Sequence, residues 1–170
     1  MPEPWFQTVV FERVDDGVVS ILSLSLDYQL DEVWSALTDP GKFTDWLAPG
    51  EIELRLGGRV KLNFPDSGIV IDSAVSEFVP PKLLEYSWSA PGEPLRPLRI
   101  ELAPVGAAVW LAVALFIPET EDAARMTAGW AAHLEMLAAA LSGTPIKFPF
   151  ETFKSAREAY RARLSDDQPS

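Results

Sequence analysis

Glu51-Ile52-Glu53-Leu54-Arg55-Leu56-Gly57-Gly58-Arg59-Val60-Lys61-Leu62-Asn63-Phe64 is the stretch from which the fold can be read. Ile52, Leu54 and Leu56 alternate with charged residues on one side of the glycine pair. Val60, Leu62 and Phe64 continue the alternation on the other. Side chains on a strand point to opposite faces in turn, so period two marks strands with one buried face. A Gly-Gly step between two such runs predicts a hairpin, and hairpin-linked strands pair antiparallel.

Toward the C-terminus the same grammar repeats. Pro65-Asp66-Ser67-Gly68 predicts a turn, Ile69–Phe78 a strand, Val79-Pro80-Pro81 a corner and Leu83–Trp88 another strand. After the loop Ala90–Pro94, Leu98, Ile100 and Leu102 alternate with charges. Ala108–Phe116 follows, apolar at every position, which predicts cover on both faces. Toward the N-terminus, Leu30, Val33, Trp34 and Leu37 fall at helical spacing, with Asp27 as the expected cap. A second short helix is expected over Gly41–Leu47. Before them, Asp15-Asp16-Gly17 joins Val9–Val14 to Val18–Leu26 as a further hairpin.

Past Pro118 the period changes to that of a helix. Thr120 is the expected cap, with Glu121 and Asp122 in the first turn, and Gly143 is the stop. Met126, Trp130, His133, Leu134, Leu137 and Leu141 share one face. A broad apolar helix face beside a sheet is buried only by lying across it. The expected fold is therefore α+β: a curved antiparallel sheet of six to seven strands, two short helices and one long C-terminal helix packed across the sheet. In the tail, Phe153, Ala156, Tyr160 and Leu164 predict a short amphipathic helix. Its aromatic stripe suits either the protein's own sheet edge or, in a homodimer, a second subunit. Asp166–Ser170 is expected to fray.

Composition bounds the rest. The 170 residues fit a single domain over 1–170, with its core over about 18–142, an N-terminal hairpin arm over 1–17 and a tail over 143–170. A formal net charge of −11 disfavours nucleic acid and anionic membrane surfaces as partners. The first residues lack the pattern of a signal peptide, no apolar run has the length of a membrane helix, and no cysteine is present, so a cytoplasmic location is expected. Phosphate loops, dinucleotide fingerprints and Gly-x-Ser-x-Gly elbows are absent from the sequence. A single histidine leaves no two-histidine zinc spacing, and neither a metal nor a cofactor is expected.

Four stretches, in this order, carry a resemblance. They are Val33-Trp34-Ser35-Ala36-Leu37-Thr38-Asp39-Pro40 with Phe43 and Trp46, then Leu56-Gly57-Gly58-Arg59-Val60, then Val79-Pro80-Pro81-Lys82-Leu83-Leu84-Glu85-Tyr86-Ser87-Trp88, then Gly129-Trp130-Ala131-Ala132-His133-Leu134. Over residues 18–142 the chain resembles the START-like (SRPBCC) helix-grip superfamily. Within it the chain looks like the family of homologues of the activator of heat-shock protein 90 ATPase. Gln29, Leu47, Ala108 and Ala114 depart from the pattern, and the two alanines make the expected pocket wall more apolar. The resemblance implies a cavity between sheet and long helix that binds a small hydrophobic molecule such as a lipid, polyketide or aromatic metabolite.

The candidate ligand-binding residues are Trp46, Trp88, Phe116, Met126, Trp130, His133 and Leu137. Tryptophans suit an aromatic ligand, and they equally suit core filling. Met126 and Phe116 are placed near the helix entrance, where adaptable side chains gate pockets or simply pack. His133 is the one candidate catalytic residue. Its imidazole can bond a ligand carbonyl, act as acid or base in a polyketide cyclase/aromatase- or hydrolase-like reaction, or sit at the core edge bonded to backbone. A third reading, implied by the family name alone, is a chaperone-associated or other protein-interaction module. Gly129 is expected to allow close approach of the long helix, and Arg59, Arg99 and Glu101 are expected on the solvent side.

Overall fold

The computed structural model describes residues 8–166, and the residues expected to fray beyond 166, like the first seven of the N-terminal arm, lie outside them. Asp15 and Asp16 close the first hairpin, joining β1 (Thr8–Val14) to β2 (Gly17–Leu26), with Asp16 at φ 69°. Asp is among the few residues other than glycine that tolerate this left-handed backbone. Two helices follow, α1 (Leu30–Thr38) and α2 (Pro40–Trp46). The first begins at Gln29 rather than Asp27, with the Gln29 amide donating to Glu32 Oε1 at 3.3 Å. Then come β3 (Gly50–Ile52), β4 (Arg59–Asn63), β5 (Val70–Val79), β6 (Leu83–Ser87), β7 (Pro97–Val105) and β8 (Ala108–Pro118), and finally α3 (Ala123–Leu141) and α4 (Phe150–Asp166).

The strands form one curved, antiparallel sheet in the order β1-β2-β8-β7-β6-β5-β4-β3, eight strands against the six or seven expected. The extra strand is β1. It is a full member of the sheet, registered from Thr8↔Ser23 to Val14↔Gly17, and not an arm outside the core. One face is apolar apart from Ser20: Val18, Leu22, Leu24 and Leu26 of β2, alternate β8 residues from Val109 to Ile117, and Leu98, Ile100 and Leu102 of β7 are all buried. Residue α3 Thr127 shares a buried 2.7 Å hydrogen bond with Ser20 of β2, and Ala124, Ala128, Trp130, Ala131, Leu134 and Leu137 are buried beside it. The alanines let the helix lie low over the sheet.

Several boundaries differ from expectation for identifiable reasons. Strand β3 stops at Ile52, and Leu54 and Leu56 are exposed. Glu53 N–H still donates to Arg59 O at 2.9 Å, and beyond it the chain leaves the hairpin, because Gly57 N–H donates to Val75 O and Val75 N–H donates to Gly58 O, both at 2.8 Å. Gly57 has φ +77°, and a Cβ on Gly58 would collide with the Glu53 carbonyl. The true cap of α3 is Asp122, whose side chain accepts from Arg125 N at 3.0 Å. Glu121 is thereby freed for Arg96. A Cβ on Gly129 would meet nothing within 4 Å, so this glycine is not a close-approach residue.

The tail helix α4 has 17 residues, nearly matching the 19 of α3, and is not short. It lies along α3 and reaches the first strand. Tyr160 is fully buried with its ring edge-on to Phe11 at 5.6 Å, and Arg163 and Arg13 bond the carbonyls of Val9 and Leu164. Of the two expectations for the tail, its aromatic stripe serves the protein's own sheet edge.

Candidate functional site

Between the sheet and α3 lies a run of aromatic rings. Trp46, at the end of α2, is 1% exposed, and its indole donates to Ala36 O at 2.8 Å. Trp130 of α3 packs edge-on to Trp46 with ring centres 6.2 Å apart and to Trp88 at 4.9 Å. Trp88 meets Phe64, at the end of β4, at 5.8 Å, and Phe64 meets His133 at 5.7 Å. Phe148, in the α3–α4 linker, covers the other side of the imidazole at 5.6 Å and touches Phe150 and Phe153. Edge-to-face geometry recurs along the run, as the quadrupoles of aromatic rings prefer. The members grade from fully buried (Trp46, Trp130) to half-buried (Trp88, Phe64, His133, Phe148), and Phe150 is exposed.

His133 is held by its Nδ1, 3.0 Å from Trp46 O. A carbonyl can only accept, so Nδ1 carries the proton and Nε2 of the neutral ring keeps its lone pair. Burial among rings pushes the imidazole below its usual range, and the bond to Trp46 partly opposes this. The helix spacing of Trp130 and His133 puts both on the face that α3 turns toward α2 and β4.

The structure brings Trp46, Trp88, Trp130 and His133 together. Leu137 is fully buried one turn beyond His133, and Met126 is partly buried in the first turn of α3. Phe116 is a correction. Buried positions on β8 are Val109, Leu111, Val113, Leu115 and Ile117, so Phe116 points to the opposite, outer face, as does Trp110. Three members, Phe64, Phe148 and Phe150, were missed. Alternation with Val60 and Leu62 signalled Phe64, whereas Phe148 sits in a linker without periodicity and left no signal.

The run is clasped by charge at Trp88. Arg96, 7% exposed, makes two hydrogen bonds to the Glu121 carboxylate, 2.5 and 2.8 Å, and a third to Trp88 O at 2.8 Å. The guanidinium thus fixes the backbone beneath Trp88 and ties the β6–β7 loop to the entry of α3. On the outer face, Arg99 bonds Glu101 at 2.7 Å, with Glu77 and Glu85 beside it, and Arg59 pairs with Asp72, so these charges do face solvent. A cleft of about 400 Å³ on the same face is lined in part by Asp72, Ser76, Ser87, Ser89 and Pro91, and none of the rings lines it. Among the described residues no group of three or more potential metal ligands occurs, and no helix is long and apolar enough to cross a membrane.

A curved antiparallel sheet gripping a long helix, with two short helices after the second strand, defines a helix-grip protein. The chain belongs to the family described as activator of Hsp90 ATPase homolog 1-like protein, whose sequence profile matches residues 27–142. Solved structures agree in fold. CalU16 from Micromonospora echinospora superposes with a TM-score of 0.74 at 23% identity, covering 91% of this chain and 94% of that one. A conserved protein of unknown function from Enterococcus faecalis, EF2215, gives 0.78 at 18% identity over 95% and 92%. DynU16, a protein of the dynemicin biosynthetic locus, gives 0.67 at 28% identity over 78% of this chain and 49% of its own. Among curated proteins nothing matches the chain.

Proposed function

We propose that this protein binds a small hydrophobic molecule between its sheet and α3, with the aromatic run as the contact surface. The observation that carries this reading is the continuity of the run from exposed rim to buried interior. Phe150, Phe148, His133, Phe64, Trp88, Trp130 and Trp46 touch in succession. Rings in edge-to-face contact can be displaced by a flat ligand that offers equivalent faces, so the path is both a filling and an entrance. Membership of the family and the likeness to DynU16, from a biosynthetic locus, support a metabolite as the ligand.

Native mass spectrometry on freshly purified protein, repeated after denaturation and extraction, tests the reading. The expected result is an apolar adduct that denaturation releases. Bare protein that also fails to take up added polyaromatic compounds would count against it.

A second reading has one observation in its favour. With Nδ1 committed to Trp46 O, His133 Nε2 is a free base in an apolar setting, as a cyclase- or hydrolase-like reaction needs. In that case His133→Ala abolishes turnover of the extracted ligand while leaving the fold intact.

A further inference from the structure

The ring run contains a buried polar atom with nothing to bond among the described residues. Trp130 is 2% exposed, and its Nε1–H meets no acceptor among the described residues, in contrast to the satisfied indole of Trp46. Buried donors are nearly always paired, because leaving one unpaired forfeits its water bond without return. The complementary group is His133 Nε2, an acceptor on a partly buried ring whose Nδ1 is already engaged. These two groups sit on one helix face with ring centres 6.1 Å apart. A third polar group shares the interior. Tyr86, on the inward face of β6 and two residues before Trp88, is 4% exposed, and burial alone pushes its hydroxyl up. Purely apolar filling of this space would leave the Trp130 donor and the His133 acceptor idle.

We infer that the ligand is an aromatic molecule bearing both a carbonyl-type acceptor, read by Trp130 Nε1–H, and a hydroxyl, read by His133 Nε2: a hydroxyaryl ketone or quinone and not a plain hydrocarbon or fatty chain. The inference rests on the proposed binding function and specifies its chemistry. Its recognition logic is that of a site built to hydrogen-bond its ligand, which discriminates against an analogue lacking the group far better than an apolar wall discriminates by size. An ordinary hydrogen bond is worth about tenfold in affinity.

The test is equilibrium dialysis of the full chain against naphthalene, 2-acetylnaphthalene, 2-naphthol and 6-acetyl-2-naphthol. The doubly substituted compound binds tightest and naphthalene weakest, each group contributing about tenfold. Trp130→Phe keeps a ring in place and loses the preference for the acetyl group while retaining that for the hydroxyl. His133→Phe does the reverse. Taking ratios within each variant cancels any general loss of packing. Should either variant fail to fold, the series on the unaltered protein decides alone. Naphthalene binding as tightly as its derivatives overturns the inference and leaves the binding function standing, whereas absence of binding by all four compounds overturns both.

Discussion

At the scale of single residues, the interior polar groups make the sharpest claims. Ser20 and Thr127 are each fully buried, and among the described residues their hydroxyls bond one another across the β2–α3 interface. Thr127→Val strands the serine hydroxyl and should cost about 1–3 kcal/mol in urea unfolding. Adding Ser20→Ala should restore much of that loss, since two matched apolar groups need no partner. A double variant no better than the single one would show that the bond is not the source. His133 makes a pH claim. Its folded-state pKa lies below the unfolded one because burial disfavours the cation. The unfolded chain therefore binds more protons in the window between the two values, and stability rises with pH there. Stability should be flat above about pH 6.5, the ordinary imidazole value, and decline as pH falls below it. In His133→Phe the part of the decline due to this group should vanish, and an unchanged pH profile would contradict the assignment.

At the scale of elements, the tail and the clasp are the parts that local sequence grammar read least well. Tyr160→Ala removes a fully buried ring from the contact between α4 and Phe11, a loss of about 3–5 kcal/mol by denaturant unfolding. Arg96→Ala leaves the Glu121 carboxylate, itself 19% exposed, without its bidentate partner and releases Trp88 O. Removing one member of a buried pair costs about 3–5 kcal/mol, and here the lower end applies because Glu121 keeps some water. The same variant should loosen Trp88 against Trp130, visible as a change in tryptophan emission. The hairpin turns were legible because Asp15-Asp16-Gly17 and Gly57-Gly58 carry their backbone preferences locally. The short β3 was not legible: Gly57 and Gly58 bond to Val75, eighteen and seventeen residues on, and nothing in the alternation of Leu54 and Leu56 announces that. Helix periodicity placed Trp130 and His133 on one face. Phe116 was misplaced because a strand apolar at every position has no phase, and only its partners in the sheet fix which half faces inward. Arg96–Glu121 joins positions 25 residues apart and is invisible to any local pattern.

At the scale of the whole molecule, pairing and cover are distributed unevenly, and that distribution decides where the grip can open. Strand β8 pairs along its length with β2, from Gly17↔Pro118 to Leu26↔Val109, and on its other edge with β7, from Leu98↔Leu115 to Val105↔Ala108. Its inward residues are all at or below 1% exposure. At the far edge, β3 has three residues, paired only to β4, and the segment from Leu54 to Leu56 leaves the ladder. Phe64 and Phe148, half-buried rings on the rim side of the run, come from just after β4 and from the α3–α4 linker, and buried Trp46 ends α2, so elements around that weaker edge carry part of the run. Local opening needs only the contacts of the part that opens, so amides of β3 and β4 should exchange with solvent hydrogen at least about a hundredfold faster than those of Val109–Ile117. A ligand seated against the ring run would bind the closed arrangement and raise protection at β3, β4 and the linker while leaving β8, already limited by global unfolding, nearly unchanged. Hydrogen exchange with and without 6-acetyl-2-naphthol reads both quantities at once. Uniform exchange across the sheet would mean that the grip opens only by unfolding, and ligand entry would then be as slow as unfolding itself.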